Sequence, residues 1–175
     1  NLYKCLWPAD LANLGSDPNS YKLWSGGRRV YELKTNETLD DYSGLAHFVT
    51  ALHATTSTQA LCALDSVFNV NSYLKWLAWE VTTGHWDNHS VNKNNFYLYE
   101  DPASGLMEFI SYDADNTFGV DWFNIDWATR SPFQFGTYPL YTKIVTNPAA
   151  QRRLKLFLNE FGTLAGSAAW RNRNE

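Results

Sequence analysis

Apolar residues at Leu39, Tyr42, Leu45, Ala46, Val49 and Leu52 recur every three or four positions, the period of one helix face, and predict a helix that starts near Thr38. Asp40 and Asp41 follow Thr38 closely and suit the positive end of a helix dipole. The same period returns in Ala60, Leu61, Leu64 and Val67, which predict a second helix after Ser57. Val70, Leu74, Leu77 and Val81 form the stripe of a third, over about 71–83, with Gly84 placed to cap it in a left-handed conformation. Two helices close the chain, over 140–145 and 149–164. The last sets Ala150, Leu154, Phe157, Leu158 and Phe161 against Arg152, Arg153, Lys155 and Glu160.

Elsewhere the pattern alternates. Residues 95–100 (NFYLYE) and 106–112 (LMEFISY) flank Asp101-Pro102-Ala103-Ser104-Gly105, which predicts a β-hairpin. Residues 28–34 (RRVYELK) predict a short strand, "LYK" at the start the end of another, and 8–14 a short turn of helix before the polar stretch 15–20. A long polar loop is expected over 84–93. Residues 122–138 are aromatic without a period. The expected fold is α+β, mainly α-helical around one hairpin, in a single domain over 1–175.

Composition narrows the function. The chain has 175 residues, 45% hydrophobic and 16% aromatic with 18% charged, which excludes a disordered chain and allows one sizeable core. A net charge of −4 supplies no basic field for a polyphosphate backbone, so no nucleic-acid partner is expected. No apolar run approaches the roughly 20 residues of a membrane span, so no membrane partner is expected either. The chain begins at Asn1 and its single Met is Met107, which suggests a processed chain or a fragment. Cys5 and Cys62 allow one disulfide or two thiols. The triplets Asn36-Glu37-Thr38 and Asn88-His89-Ser90 have the form of glycosylation sites but are too short a pattern to weigh heavily.

The candidate chemistry lies at the two outer ends of the hairpin, in "GHWDNHSVNKNN" before it and "YDADNTFG" after it. Antiparallel strands return the chain to its start, so Asp87, Asn94 and Asn95 should lie near Asp113 and Asp115. Converging carboxylates repel unless a cation intervenes, and Asp and Asn oxygens suit a hard ion such as Mg²⁺, Mn²⁺ or Ca²⁺. The order of parts is that of a phosphoryl-transfer site: an Asp to orient the attacking hydroxyl, then an Asn and a second Asp for metal. "DADN" does not continue as an EF-hand, since Thr117 and Phe118 break the pattern. His85 and His89 have no third soft ligand and read as hydrogen-bonding or exposed residues, and His47 and His53 need no function. Trp76, Trp79, Tyr73, Phe109 and Phe157 are expected in the core. Trp122, Phe123, Trp127, Phe133, Phe135 and Tyr138 are expected to pack over the helices or to line a cleft.

"LYK" at the start and "ALDSVFNVNSYLKWLAWEVTTGHWDNHSVNKNNFYLYEDPASGLMEFISYDADNTFG" in the middle resemble the CotH kinase family, spore-coat-type atypical protein kinases related to those of the secretory pathway. The match is clear over about 60–120 and weaker over 1–55. The resemblance implies a kinase-like C-terminal lobe whose hairpin carries the catalytic and metal-binding loops. By position it makes Asp87 the catalytic aspartate and Asp113 the metal-binding one, with Asp115 a metal ligand or its neighbour. Asn95 would join them on the metal, and Asn94 competes with it on the cofactor side because the loop after Asp87 is longer than the family pattern. The implied cofactors are ATP and Mg²⁺ or Mn²⁺, and the implied partner is a coat, surface or secreted protein phosphorylated on Ser or Thr. The family acts on spore coats, on cell surfaces or outside the cell. Neither Lys4 nor "SGGRR" stands in a strand, glycine loop and helix context. The N-terminal nucleotide-binding lobe is therefore expected to be a missing partner, and the chain alone to have little activity. Two other readings compete: a non-catalytic surface or adhesin-type module binding carbohydrate or a host protein through exposed aromatics, and a glycosidase with paired carboxylates.

Overall fold

The computed structural model describes residues 1–54, 60–124, 126, 131–133 and 136–165. Its elements run β1 (Leu2–Cys5), β2 (Trp24–Ser25), β3 (Arg28–Arg29), β4 (Tyr31–Leu33), α1 (Ser43–Ala54), α2 (Ala60–Leu64), α3 (Val70–Thr83), α4 (His89–Asn92), β5 (Phe96–Glu100), β6 (Met107–Ser111), α5 (Pro139–Val145) and α6 (Pro148–Ala165). Helices and an antiparallel sheet make it α+β, and 41% of it is helical. The expected helix start after Ser57, Trp127, Phe135 and the "RNRNE" end lie outside the described residues.

The main sheet has the order β4-β1-β5-β6 and is antiparallel throughout. The "LYK" segment is therefore an inner strand. It pairs Tyr3 with Leu33 on one side and with Leu98 on the other. The two-residue period then sorts the faces. Tyr3, Leu33, Leu98 and Phe109 are buried on the helical side, while Lys4, Tyr97 and Ile110 stand half-buried on the other. The hairpin β5-β6 forms as its sequence predicts. Asp101 and Leu106 close it, Gly105 takes a positive φ of 71°, and the Asp101 carboxylate gathers Ala103 N, Ser104 N and Ser104 Oγ. Phe96 and Phe109 stack across it at 5.3 Å, each removing a large apolar surface from water worth about 1.5–3 kcal/mol.

Helix α3 lies against β6 and α6 and carries Tyr73, Leu74 and Leu77 into the core. Asn69 caps its start by accepting Ser72 N, and Gly84 ends it at φ 67°. Several expectations change. α1 begins at Ser43 because Asp40 adopts φ 45°, incompatible with a helix, and Asp41 caps Ser43 instead. Leu39 is consequently exposed. No helix forms over 8–14, where Leu11 sits at φ 54° and gives its N–H to Tyr31 Oη; the turn of 3₁₀ helix falls at Pro18–Tyr21, inside the polar stretch. The strand expected over 28–34 is split between two sheets, with Val30 N bonded to Leu23 O at the break. The polar loop after Gly84 contains α4. Cys5 is buried and Cys62 exposed, both as free thiols. No described helix is long and apolar enough to cross a membrane.

Candidate active site

Both ends of the β5-β6 hairpin meet at one cleft of about 300 Å³, which Asp87, Asn94, Asn95, Asp113 and Asp115 all line. Tyr112 N bonds to Asn95 O at 3.0 Å and so fastens the entry of one loop to the exit of the other. The backbone turns sharply at both points. Asn95 has φ 56° and Asp113 φ 56°, left-handed conformations that Asn and Asp tolerate better than most residues. A hollow of about 470 Å³ beside it is larger, but of the carboxylates just named it holds none and shares only Trp122 with the cleft.

Asp87 is the fixed point of the cleft. Its Oδ1 accepts from Asn92 Nδ2 at 2.5 Å and, more weakly, from Asn94 Nδ2 at 3.3 Å, while Oδ2 accepts from Asn95 Nδ2 at 2.9 Å. Three neutral amides thus aim one carboxylate without cancelling its charge. Asn94 also turns its Oδ1 to the backbone N–H of Trp7 at 2.8 Å, which ties the loop to the strand that leaves β1.

The metal-binding expectation can be tested on the donor oxygens. Asp113 is exposed and makes no hydrogen bond or ion pair with a described residue. Asn95 spends its amide nitrogen on Asp87, which leaves its Oδ1 uncommitted. Asp115 accepts only at Oδ1, from Asn116 Nδ2 at 2.8 Å. Among the described residues no three His, Cys, Asp or Glu side chains close into a ready-made metal cluster. That suits Mg²⁺ better than Ca²⁺, since Mg²⁺ keeps several waters and takes one or two carboxylates together with substrate phosphates. The oxygens present fit such an ion.

Beneath the cleft lies a buried polar layer. Glu80, 1% exposed, is pushed up to about 8 by burial, against the opposing bonds from Ser111 and Asn88. His89 is pushed down to about 3, also by burial. Its Nδ1 is 3.9 Å from Glu80 Oε2, too far for a hydrogen bond, and burial keeps both groups uncharged rather than ion-paired. His89 Nε2 pairs with Tyr73 Oη at 3.0 Å. His85 is equally buried, donates Nδ1 to the Asn116 carbonyl at 3.4 Å and is lowered by burial. Neither histidine is exposed as one alternative had it. Asn88 of the second glycosylation triplet is 1% exposed and caps α4, which closes it to a glycan.

Three residues at or beside the cleft are not given their place by sequence reasoning, which assigns Asn92 no role and sets Lys4 and the segment holding Arg28 aside for want of a strand, glycine loop and helix context. Asn92 reaches Asp87 because α4 turns it back. Lys4 enters the cleft from β1, its Nζ 3.2 Å from Tyr112 Oη, and Arg28 enters from β3. Neither cation forms an ion pair with a described carboxylate. Trp86 lies beneath with its Nε1 donating to Val120 O at 2.7 Å, and it supports exposed Trp122 and Phe123 at the rim.

Residues 1–164 match the family described as CotH kinase protein. Among curated proteins the chain is 32% identical over 91 residues to the inner spore coat protein H of Bacillus subtilis (strain 168), covering 52% of this chain and 24% of that one. It is 30% identical over 67 residues to the invasin CotH2 of Rhizopus delemar, covering 38% of this chain and 11% of that one. The aligned stretch is thus a quarter or less of either relative.

Proposed function

The chain belongs to the CotH kinase family, and from that premise we propose that, as part of the intact protein, it serves metal-dependent phosphoryl transfer from ATP to a Ser or Thr hydroxyl of a coat, surface or secreted protein. The observation that carries the reading is the convergence of amide-held Asp87 with Asp113, Asp115 and the free Oδ1 of Asn95 on one cleft. Asp87 orients the acceptor hydroxyl and takes its proton as the oxygen attacks. Its two oxygens offer about four lone-pair sites, so the amides leave room for that bond. Asp113, with Asn95 and Asp115, would hold Mg²⁺ or Mn²⁺, which when bound neutralises charge on the phosphate oxygens. Lys4 on β1 and Arg28 on β3, neither in an ion pair with a described carboxylate, would take phosphate oxygens from the other side. The rate in such a site comes from positioning together with electrostatic stabilisation, and the three amides on Asp87 contribute to the first.

The test is phosphorylation by the intact protein in Mg²⁺ or Mn²⁺ with ATP. Loss in both Asp87→Ala and Asp113→Ala is the expected result; unchanged phosphorylation in both removes the reading.

A further inference from the structure

We propose that Glu80 is a positioning residue that keeps the two loops of the cleft in register, placing one carboxyl oxygen against each. The proposal rests on the roles given to Asp87 and Asp113 above. Oε2 of Glu80 accepts from Asn88 Nδ2 at 3.0 Å, and Oε1 pairs with the Ser111 hydroxyl at 2.8 Å. Asn88 adjoins Asp87, and Ser111 stands two residues before Asp113. A single side chain on the rigid helix α3 therefore spans both loops.

The hold passes onward through Asn88. Its Nδ2 also donates to the His85 carbonyl at 2.9 Å, and its Oδ1 accepts the backbone N–H of Ser90 and of Val91, each at 3.0 Å. Helix α4 consequently starts where Asn88 is pinned, and the last residue of α4 is Asn92, which donates to Asp87. On the other arm, Ser111 ends β6 and the chain turns at Asp113 immediately afterwards. A leucine at position 80 would bury its side chain without desolvating any polar group. Glu80 carries that desolvation cost and returns two hydrogen bonds, both to the cleft.

The arms can be cut separately in the intact protein. Glu80→Leu removes both and is expected to lower kcat by about 10- to 100-fold, the scale of a small misplacement of reacting groups. Glu80→Gln can accept from Asn88 and donate to Ser111, and is expected to restore kcat to within about threefold of wild type. Ser111→Ala loosens only the Asp113 side and is expected to raise the metal concentration needed for half-maximal rate by about tenfold, with kcat at saturating metal nearly kept. Asn88→Ser loosens the Asp87 side and is expected to lower kcat with the metal requirement unchanged. A merely structural Glu80 would not split the two parameters in this way. Hydrogen exchange reads the same arms without turnover: Glu80→Leu should speed exchange at 88–92 and at 111–115, and each single-arm variant at one of them. If the wild type transfers no phosphate, the kinase reading fails and exchange alone decides the positioning role. Wild-type exchange in Glu80→Leu, or Ser111→Ala and Asn88→Ser acting on the same loop, overturns the proposal.

Discussion

Asn95 donates its side-chain amide to Asp87 at 2.9 Å from a backbone held at φ 56°, so one residue both turns the chain into β5 and aims the carboxylate of the preceding loop. The two jobs separate by substitution. Asn95→Gly keeps the left-handed turn at no steric cost but removes the amide and its free oxygen, whereas Asn95→Ala removes the amide and adds backbone strain of about 1–2 kcal/mol. Asn95→Gly should therefore melt near wild type while lowering kcat and requiring more Mg²⁺ for phosphoryl transfer. Asn95→Ala should show both the metal defect and a lower Tm. Thermal melts beside metal titrations of the rate check the pair.

Asp87→Ala leaves the amides of Asn92, Asn94 and Asn95 without their acceptor in a half-buried site. The expected cost is about 1–3 kcal/mol of stability, in addition to a loss of about 10²–10⁴ in rate for removing a general base. Asp113→Gly keeps the left-handed turn at φ 56° without the strain an alanine would add, removes a carboxylate with no described partner, and should leave Tm near wild type while abolishing metal-dependent turnover. The contrast between a stabilising and a non-stabilising acid is read by denaturant unfolding of the two variants.

Much of this site is legible in the sequence because the hairpin is local. Alternation at Phe96, Leu98, Met107 and Phe109 and the Asp101–Gly105 turn signal fix its register, and the register brings Asp87 toward Asp113. What escapes is set by longer range. Lys4 reaches the cleft only because β1 pairs with β5 more than ninety residues away. Helix α4 has four residues, too few to show a period, and it exists because Asn88 is pinned from below. Glu80 leaves a trace that could have been followed: it lies three positions after Leu77, a polar letter within the apolar stripe of α3. The start of α1 is misread because Thr38, Asp40 and Asp41 imitate a helix entry, while the backbone at Asp40 is left-handed.

The buried pair under the cleft makes stability depend on pH in two directions. Glu80 is raised from 4.5 to about 8, so its contribution is fully present below about 4.5 and is lost as pH rises through 8. His89 is lowered from 6.5 to about 3, so its contribution is present above 6.5 and is lost as pH falls through 3. The part of Tm that these two groups control should peak between those limits, near pH 5 to 6.5. Glu80→Gln cannot titrate and should flatten the descending limb between pH 6 and 8.5, leaving the acid limb in place. A wild-type limb that survives this substitution would assign the pH dependence to other groups.

Gly136 and Gly44 differ in what a side chain would meet. A Cβ at Gly136 would collide with the backbone oxygen of Ser90 and lie 2.9 Å from the Tyr138 ring, so Gly136→Ala pushes directly on α4 and should cost about 1–3 kcal/mol. The nearest atoms to a Cβ at Gly44 are the carboxylate end of Glu100, which can swing away, and a Gly→Ala exchange in the first turn of a helix recovers up to about 1 kcal/mol. Gly44→Ala should be neutral or stabilising in chemical denaturation, while Gly136→Ala should be destabilised and also slower in phosphoryl transfer, because α4 positions Asn92 against Asp87.

Lys4 offers the clearest test of the cationic side of the cleft. Its Nζ lies 4.5 Å from the centre of the Tyr112 ring and 3.2 Å from Tyr112 Oη, contacts with a neutral partner that leave its charge available to a ligand. A charge-assisted hydrogen bond to a phosphate oxygen is worth about 1.5–3 kcal/mol, so Lys4→Met should raise the KM for ATP by about 10- to 100-fold. Arg28, brought to the same cleft by the β2-β3 turn at Gly26 and Gly27, is more exposed, and Arg28→Met should have the smaller effect. Lys4 could instead act by holding Tyr112 beside Asp113, and Tyr112→Phe decides between the two. That variant keeps the ring under the ammonium but removes the hydroxyl. If Lys4 binds phosphate, Tyr112→Phe leaves the KM for ATP near wild type, and rising salt weakens ATP binding in wild type more than in Lys4→Met. If Lys4 works through Tyr112, Tyr112→Phe matches Lys4→Met and the salt dependence of the two proteins is the same.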